Sequence, residues 1–287
     1  MSGRPMDGKT VLITGATDGI GKQAAKELAI LGATTVLVGR NEDKCRQAVE
    51  EVNALSEGKR ASYLVADLSS MSAVEQLAKD FRSGFARLDV LVNNAGGAFL
   101  PRQITEDGFE KTFALNHLAY FLLTDLLLDM LKANSPSRVI NVSSNSHYNG
   151  TISFGDIHLK WFYFVFRAYS QSKLANVMFT YALARRLEGS GVTANCLHPG
   201  LVQTGIFGKV KGVPKLIEKF LLRKAISIEA GAETIVYLSS SEEVSAESGK
   251  YYYKKIPRTT SEGSYIVKDQ ERLWKMSEEM LKPWRQG

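Results

Sequence analysis

Tyr169 and Lys173 are the residues of this chain whose types and spacing could together do acid–base chemistry. They lie four apart in residues 167–187, where apolar residues recur at helical spacing, so both should project from one face of a buried helix. A phenol with a reference pKa of about 10 is a poor base, but a neighbouring cation lowers that pKa. The pair could therefore pass a proton to or from a substrate oxygen. A Tyr and a Lys four apart are also common on purely structural helices, so the surrounding elements must decide.

A glycine turn near the start of the chain could place such a pair against a nucleotide. Residues 10–14 are a short apolar run, followed by Gly15, Gly19 and Gly21 and then by apolar residues at helical spacing. A strand, a glycine turn and a helix in this order let the backbone approach a pyrophosphate, whose charge meets the amides at the start of the helix. The spacing differs from the usual G-x-G-x-x-G, and a plain strand-to-helix turn is the alternative.

Gly39 and Arg40 end the second apolar run, where a dinucleotide fold carries its ribose-selecting residue. An NAD site would favour Asp or Glu there. Gly39 leaves room for a 2′-phosphate, and Arg40 can pair with it through charge-assisted hydrogen bonds. This favours NADP(H). The alternative, a solvated loop arginine, is less favoured because the glycine turn precedes it.

Strand and helix patterns alternate along the rest of the chain. We predict helices over residues 41–55, 70–81, 105–131, 167–187, 214–224, 228–238 and 269–281, and strands over residues 62–66, 89–93, 138–144, 192–196 and 250–254. No linker or change in composition interrupts the pattern, so residues 1–287 should form a single domain. Strict alternation favours an α/β fold, with a doubly wound parallel sheet of about seven strands and helices on both faces.

Polar residues end several of these strands, where open parallel sheets bind ligands. Asp67 follows the third strand, the small-residue turn 93–97 follows the fourth, and Ser143 and Ser144 end the fifth. Only one of two adjacent serines can face a ligand, because side chains alternate along a strand. Asn116 lies within an apolar helical pattern, where a structural hydrogen bond and a functional role are both open.

Composition excludes several classes of protein. The 36 Lys and Arg against 30 Asp and Glu give a formal charge of +6 without a basic run, so no nucleic-acid surface is indicated. Two cysteines and four scattered histidines predict neither a disulfide framework nor a metal site. No apolar run reaches the roughly 18 residues of a membrane span, and residues 1–8 hold no apolar signal core. We expect a soluble, cytoplasmic protein whose mild positive charge suits a phosphorylated cofactor or peripheral contact with an anionic membrane.

These motifs occur in the order and approximate spacing of the short-chain dehydrogenase/reductase family. They are Thr14-Gly15-x-x-x-Gly19-x-Gly21, Asn93-x-Ala95-Gly96, Asn116, Ser144, Tyr169-x-x-x-Lys173 and Pro199-Gly200. The resemblance covers roughly residues 8–255, and the runs YSQSKLAN and LHPG look most like the retinol dehydrogenase-related, NADP-dependent branch. It implies a Rossmann-like oxidoreductase.

The resemblance implies a catalytic tetrad of Asn116, Ser144, Tyr169 and Lys173. By the family pattern, Tyr169 is the general acid/base and Ser144, rather than Ser143, orients the substrate carbonyl or hydroxyl. Lys173 would hold the nicotinamide ribose and lower the pKa of the tyrosine, and Asn116 would support a water relay. The implied cofactor-binding residues are Gly15, Thr17, Asp18, Gly19, Ile20, Gly21, Arg40, Asp67, Leu68, Asn93, Ala95, Gly96, Tyr169, Lys173, Pro199, Gly200, Val202 and Thr204.

Within that set, the family pattern puts Asp67 near the adenine, Asn93 near the adenosine ribose and Thr204 at the nicotinamide carboxamide. Two features depart from it. Asp18 stands where some NADP-preferring members have a basic residue, so phosphate binding would rest mainly on Arg40. The N-terminal membrane-anchoring segment common in retinol dehydrogenases is not seen in residues 1–8.

We therefore expect an NADP(H)-dependent oxidoreductase for a lipophilic alcohol or carbonyl, such as a retinoid-like, steroid-like, or aromatic or aliphatic aldehyde or ketone. The alternative is a catalytically weak, NADP-sensing regulatory or scaffold protein on the same fold. An intact set of four catalytic residues favours the enzyme, since a sensor needs no acid/base pair.

Residues 145–168 should form an insert over the active site, and residues 201–226 a substrate loop. The insert contains an aromatic run, residues 161–166, which is core packing, a subunit contact or the apolar wall of a lipophilic pocket. The other expected wall residues are Phe99, Leu100, Ile206, Phe207 and Val213. The long helices 105–131 and 167–187 could form a homodimer interface or cover the sheet.

Overall fold

An eight-stranded sheet forms the centre of the protein, whose computed structural model describes residues 3–58, 60–201 and 226–285. The strands are β1 (Thr10–Thr14), β2 (Thr34–Gly39), β3 (Ala61–Val65), β4 (Val90–Asn93), β5 (Ser137–Val142), β6 (Val192–His198), β7 (Tyr251–Tyr253) and β8 (Ile256–Arg258). Their order is β3-β2-β1-β4-β5-β6-β7-β8, and all neighbours are parallel except β7 and β8. The predicted Rossmann-like α/β fold is confirmed, with one short strand more than expected.

Helices cover both faces of the sheet. Those that the structure describes are α1 (Gly19–Ile30), α2 (Glu42–Asn53), α3 (Met71–Gly84), α4 (Lys111–Phe113), α5 (Ala119–Leu126), α6 (Leu128–Ala133), α7 (Val165–Arg186), α8 (Ile228–Ser240) and α9 (Val267–Leu281). On one face α1 packs against α2 and α8. On the other, α3 packs against α5, and α7 packs against α4 and α9.

Two hydrophobic cores result, one on each face of the sheet. Within β1, Val11 and Ile13 belong to one core and Leu12 to the other, and all three side chains are fully buried. Strands covered on both faces read as continuous apolar runs rather than as alternating ones, which is why the sequence indicated a parallel sheet.

The long helix predicted to begin at Thr105 is wrong in its start and its continuity. The amide of Thr105 donates to the carbonyl oxygen of Phe109, and Gly108 has a φ of 86°, so this stretch is a turn. Glu110 caps α4 with its carboxylate, and a π-helical turn, Ala114–Leu118, separates α4 from α5. The apolar spacing that predicts a helix does not distinguish an α-helical turn from a π-helical one.

The prediction for the last strand, residues 250–254, is only partly correct. The strand predicted for residues 250–254 is shorter, because Lys254 and Lys255 adopt positive φ angles of 51° and 63° and turn the chain into β8. Strand β8 was not predicted, since it is three residues long and contains Pro257. The helix predicted for residues 214–224 lies outside the described residues.

None of the helices within the described ranges is long and apolar enough to cross a membrane. The carboxyl ends of the parallel strands meet at one edge of the sheet, so Thr14, Gly39, Asn93, Val142 and His198 all end strands on the same side of the molecule. The candidate site is built along that edge.

Candidate active site

Tyr169, Lys173 and Ser144 come together above the end of β5. Tyr169 and Lys173 are both buried on α7, and the side chain of Tyr169 is hydrogen-bonded to that of Ser144. The Ser144 hydroxyl oxygen also accepts a hydrogen bond from the amide of Ser146 at 3.1 Å. Ser143 faces the interior instead, where its hydroxyl donates to the carbonyl oxygen of Lys173 at 2.7 Å. The two adjacent serine side chains thus point in different directions, and Ser144 is the one beside the Tyr169 phenol.

The pKa of Tyr169 is shifted in the direction opposite to that expected from the sequence. Burial raises the pKa of this phenol to about 12, although the hydrogen bond with Ser144 acts to lower it. Lys173 does not offset this, because its Nζ lies 5.6 Å from the centre of the Tyr169 ring and donates elsewhere. In the protein alone, the phenol is therefore protonated at neutral pH.

Lys173 is a buried amino group with hydrogen-bonding positions to spare. Its Nζ is buried and donates to the carbonyl oxygen of Val142 at 3.0 Å. Burial lowers the pKa of Lys173 to about 7. A lysine ammonium has three donors, so further acceptors such as the hydroxyls of a bound ribose would fit here.

Asn116 lies in the π-helical turn and clamps the small-residue turn after β4. Its side-chain oxygen accepts from the amide of Gly97 at 2.8 Å, and its Nδ2 donates to the Gly97 carbonyl at 3.0 Å and to the Ser172 hydroxyl at 2.9 Å. A Cβ on Gly96 would lie 3.2 Å from Asn116 Oδ1 and 3.4 Å from Lys173 Nζ. Asn116 therefore links this turn to α7.

The glycine turn between β1 and α1 is held by close backbone packing. Gly15 has a φ of 65°, and a Cβ there would lie 2.8 Å from the Cα of Ala95. A Cβ on Gly21 would lie 2.5 Å from Nδ2 of Asn94, the group that donates to the carbonyl oxygens of Thr14 and Gly15. Two glycines are thus required by the contact between this turn and the one after β4.

Asp18 caps the N-terminus of α1. Its carboxylate accepts a hydrogen bond from the amide of Gly19 at 2.8 Å, while Thr17 and Ile20 on either side of this pair are half-buried. An acid at this position stabilises the helix start through its dipole. It also adds negative charge beside the turn that a pyrophosphate would approach.

Gly39 is needed for a reason that the sequence did not reveal. A Cβ at this position would lie 2.3 Å from Cγ2 of Thr17 and 2.9 Å from the sulfur of Cys45. The space above Gly39 is therefore filled in part by Thr17. Arg40, the next residue, is exposed.

Asp67 and Leu68 follow β3 beside Arg40. Burial acts to raise the pKa of Asp67, but hydrogen bonds from the amide and hydroxyl of Ser69 and the charges of Arg40 and Lys111 outweigh it, so the pKa is lowered. Leu68 is buried in the core. Asp67 is thus ionised and close enough to Arg40 to influence it.

The Asn93 side chain is not brought to the edge of the site. It is fully buried, and its Nδ2 donates to the hydroxyl of Thr124 at 3.0 Å and to Oδ1 of Asn141 at 2.9 Å. Asn141 in turn donates to the hydroxyl of Thr180 at 3.0 Å. This network joins β4 and β5 to α5 and α7, so any contact of Asn93 with a nucleotide would have to come from its backbone.

The Pro199-Gly200 turn follows β6, and Gly200 has a φ of 97°. Its amide donates to Nδ1 of His198 at 3.4 Å, and the His198 ring stacks on Tyr253. Val202 and Thr204, together with Ile206, Phe207 and Val213, lie outside the described residues.

Two further residues support the site and were not identified from the sequence. His147 is buried, and its Nδ1 donates to the carbonyl oxygen of Ser144 at 2.7 Å, which fixes the backbone that carries the serine. Ser172 joins Asn116 to α7, since its hydroxyl donates to the carbonyl oxygen of Tyr169 at 2.7 Å. Their positions next to Ser144 and within the Tyr169 motif were the only signal.

The insert 145–168 is partly core and partly surface. Ile152 and Ile157 are buried in the core that lies against α7. Four rings of the aromatic run are exposed, so the core interpretation is wrong for Trp161, Phe162, Phe164 and Phe166.

The fold and this site define a dinucleotide-dependent oxidoreductase class, and the sequence comparisons agree. The family profile described as short chain dehydrogenase matches residues 9–212, and the chain belongs to that family.

Two known proteins and one solved structure are similar to this chain over most of its length. The chain is 41% identical to human retinol dehydrogenase 13 over 284 residues, which cover 96% of this chain and 85% of that protein. It is 39% identical to human polyprenol dehydrogenase over 285 residues, covering 96% and 86%. A crystal structure of an uncharacterised protein from Mycobacterium paratuberculosis aligns with a TM-score of 0.77 and 31% identity, covering 96% of this chain and 94% of the other.

Proposed function

We propose that this protein is an NADP(H)-dependent oxidoreductase that interconverts a lipophilic alcohol and its carbonyl compound. The observation that carries the proposal is the buried Tyr169 phenol, hydrogen-bonded to Ser144 and followed one turn later by Lys173, at the sheet edge that also bears the glycine turn. Acid–base groups on one side and a phosphate-binding turn on the other are what transfer of a hydride and a proton requires.

Tyr169 acts on the proton and Ser144 on the orientation of the substrate oxygen. A phenol whose pKa is about 12 is protonated at neutral pH and can donate to a carbonyl oxygen as the substrate is reduced. Ser144 holds that oxygen against the phenol with its hydroxyl. The nicotinamide, when bound, supplies or accepts the hydride.

Lys173 and Arg40 would hold the cofactor at its two ends. The free hydrogen-bonding positions of the Lys173 amino group suit the hydroxyls of the nicotinamide ribose, and the exposed Arg40 guanidinium suits a 2′-phosphate. The amides at the start of α1 would face the pyrophosphate. The absence of a carboxylate at Gly39 supports NADP(H) over NAD(H).

The lipophilic substrate class is supported by the names of the two relatives, a retinol and a polyprenol dehydrogenase. The described edge of the site has the same character. Phe99 and Leu100 follow the turn after β4, and the Tyr163 hydroxyl is hydrogen-bonded to the Phe99 carbonyl oxygen. Few polar groups in an apolar pocket are sufficient to orient one substrate oxygen.

Tyr169→Phe tests the assignment. The substitution keeps the ring and removes the hydroxyl, so turnover with an aldehyde or ketone should fall by about 10² to 10⁴ because a general acid/base is lost. NADPH affinity should stay close to that of the wild type, measured by fluorescence titration. If Tyr169→Phe retains most of the activity, another group transfers the proton. If the wild-type protein itself binds NADPH but turns over none of the substrates, the sensor alternative is favoured.

A series of straight-chain aldehydes tests the substrate class. Each buried methylene contributes about 0.8 kcal/mol, so kcat/KM should rise roughly four-fold per carbon until the pocket is filled. Initial rates of NADPH oxidation give the series, with small hydroxylated aldehydes as the polar control. A preference for the polar compounds would contradict a lipophilic substrate.

A further inference from the structure

Four aromatic rings are exposed at the start of α7, and three of them are more than half exposed. Trp161 is 89% exposed, Phe162 67% and Phe164 53%, all within four consecutive residues of the chain. Burying apolar area of this size in an apolar medium is favourable, and exposed clusters of large apolar side chains mark interaction surfaces. We call Trp161, Phe162 and Phe164 the aromatic rim.

The backbone beneath the aromatic rim is anchored on both sides. The Asp156 carboxylate accepts hydrogen bonds from the amides of Lys160 at 2.9 Å and Trp161 at 3.1 Å. Arg167 donates to the carbonyl oxygen of Phe162 at 3.1 Å, and the Tyr163 hydroxyl donates to the carbonyl oxygen of Phe99. Because Tyr163 is turned inward and fixed, its neighbours in sequence are held outward.

The charge around the rim is positive. Residues 160–167 contain Lys160 and Arg167 and no acidic residue, and both basic side chains are exposed. The Arg167 guanidinium lies 5.8 Å from the centre of the Phe162 ring. Asp156, the nearest acid along the chain, accepts hydrogen bonds from two backbone amides and offsets one of these two positive charges. Aromatic rings flanked by cations fit the interface of an anionic bilayer better than an apolar protein surface.

The rim lies close along the chain to the candidate site. Phe164 directly precedes α7, on which Tyr169 lies, and Tyr163 contacts the loop that follows the turn after β4. A surface seated on a bilayer at this place would bring the site next to the phase in which a lipophilic molecule dissolves.

We propose that the aromatic rim is a membrane-docking surface, which inserts Trp161, Phe162 and Phe164 into the interface of an anionic phospholipid bilayer with Lys160 and Arg167 at the headgroups. The surface binds lipid with or without cofactor. Membrane docking is not part of the proposed function. The proposed lipophilic substrate only gives a reason why docking would be useful.

Vesicle sedimentation without cofactor or substrate tests the docking directly. The wild-type protein should bind vesicles of phosphatidylcholine with added phosphatidylserine more tightly than vesicles of phosphatidylcholine alone, and added salt should weaken the binding. The triple substitution W161S/F162S/F164S should weaken partitioning on the order of a hundred-fold, because three rings lose their apolar contact. The pair K160Q/R167Q should weaken it about thirty-fold, and only on the anionic vesicles.

Matched controls lie elsewhere on the surface. Tyr265, Ile266 and Val267 are also three exposed apolar residues, so Y265S/I266S/V267S should leave vesicle binding unchanged. Lys268 and Lys275 are exposed on α9, and K268Q/K275Q should likewise have no effect. NADPH affinity of each variant shows that it is folded. On binding vesicles, the emission of Trp161 should shift to the blue, and W161F should remove that shift.

Three results would overturn the proposal. The first is vesicle binding that is absent in the wild type or unchanged in the rim triple. The second is a wild-type dimer in size-exclusion chromatography with light scattering that the rim triple converts to a monomer, since a second copy would then occupy the rim. The third is a rim triple that binds vesicles normally but loses kcat/KM on a soluble lipophilic aldehyde. Because the vesicle assay contains neither cofactor nor substrate, its failure is distinct from failure of the proposed oxidoreductase.

Discussion

Arg40 is the residue on which the proposed preference for NADP(H) rests. It is exposed after β2, with the ionised Asp67 close enough for their charges to interact. Asp67 already accepts two hydrogen bonds from Ser69, so Arg40 remains available to a phosphate. A bidentate guanidinium–phosphate contact is stronger than a neutral hydrogen bond.

Arg40→Ala should weaken NADPH binding about ten-fold or more and leave NADH nearly unchanged, because a charge-assisted contact contributes roughly 1.5 to 3 kcal/mol. Both dissociation constants can be measured by fluorescence titration. Arg46→Ala, at an exposed arginine of α2 that pairs with Glu42 and Asp43, is the matched control and should change neither constant. Equal losses for the two cofactors would refute the phosphate assignment.

Gly39 gives a second prediction at this scale. Gly39→Ala should lower the free energy of unfolding by about 1 to 3 kcal/mol, since the new Cβ would lie 2.3 Å from Cγ2 of Thr17. Thr17→Ser removes that methyl group, so the double substitution G39A/T17S should be more stable than the two separate losses predict. Urea unfolding of the four proteins completes the cycle, and strictly additive losses would mean that the two side chains do not compete for this space.

At the scale of elements, the π-helical turn depends on the C-terminal helix. His117 is fully buried in that turn, and its Nε2 lies 3.0 Å from the hydroxyl oxygen of Ser277 on α9. The Ser277 hydroxyl donates to the carbonyl oxygen of Leu273, so its oxygen accepts from His117. The turn that presents Asn116 is thereby tied to a helix far away in sequence.

Acid should destabilise the fold through this buried histidine. Burial lowers the pKa of His117 to about 4 in the folded protein, whereas the ordinary value is 6.5. Between those two pH values the unfolded chain binds more protons, so stability falls as pH falls from 6.5 towards 4, by on the order of 2 to 3 kcal/mol from this residue.

His117→Gln should therefore make the dependence of unfolding free energy on pH shallower in that window, whatever its effect at pH 8. Urea unfolding at a series of pH values gives both slopes. Parallel curves for the two proteins would show that His117 does not titrate in this way.

The sequence predicted the strands and most helices because burial on both faces of a sheet leaves long apolar runs. It could not predict the π-helical turn or β8, since neither changes the spacing of apolar residues enough. The residues around Tyr169 were found from their resemblance to a family, and the structure brings Tyr169, Ser144 and Lys173 together. The direction of the pKa shift of Tyr169 was missed because burial is a property of the whole packed structure.

At the scale of the molecule, the site is assembled from distant parts of the chain. The glycine turn and Arg40 come from β1 and β2, whereas Ser144 and Tyr169 come from β5 and α7. The strand order places β4 and β5 next to β1, so these segments meet along one edge. Both halves must therefore be present before Ser144 and Tyr169 lie on the same edge as the glycine turn.

Helix α9 is the last of these elements to be synthesised. The residues that follow it also contact earlier elements, with the Trp284 indole donating to Ser72 at 3.0 Å and Arg285 paired with Asp125 at 2.7 Å. A chain made from its N-terminus produces β1 to β6 first and receives the partner of His117 only when α9 has left the ribosome. The turn that carries Asn116 therefore gains this contact only at the end of synthesis.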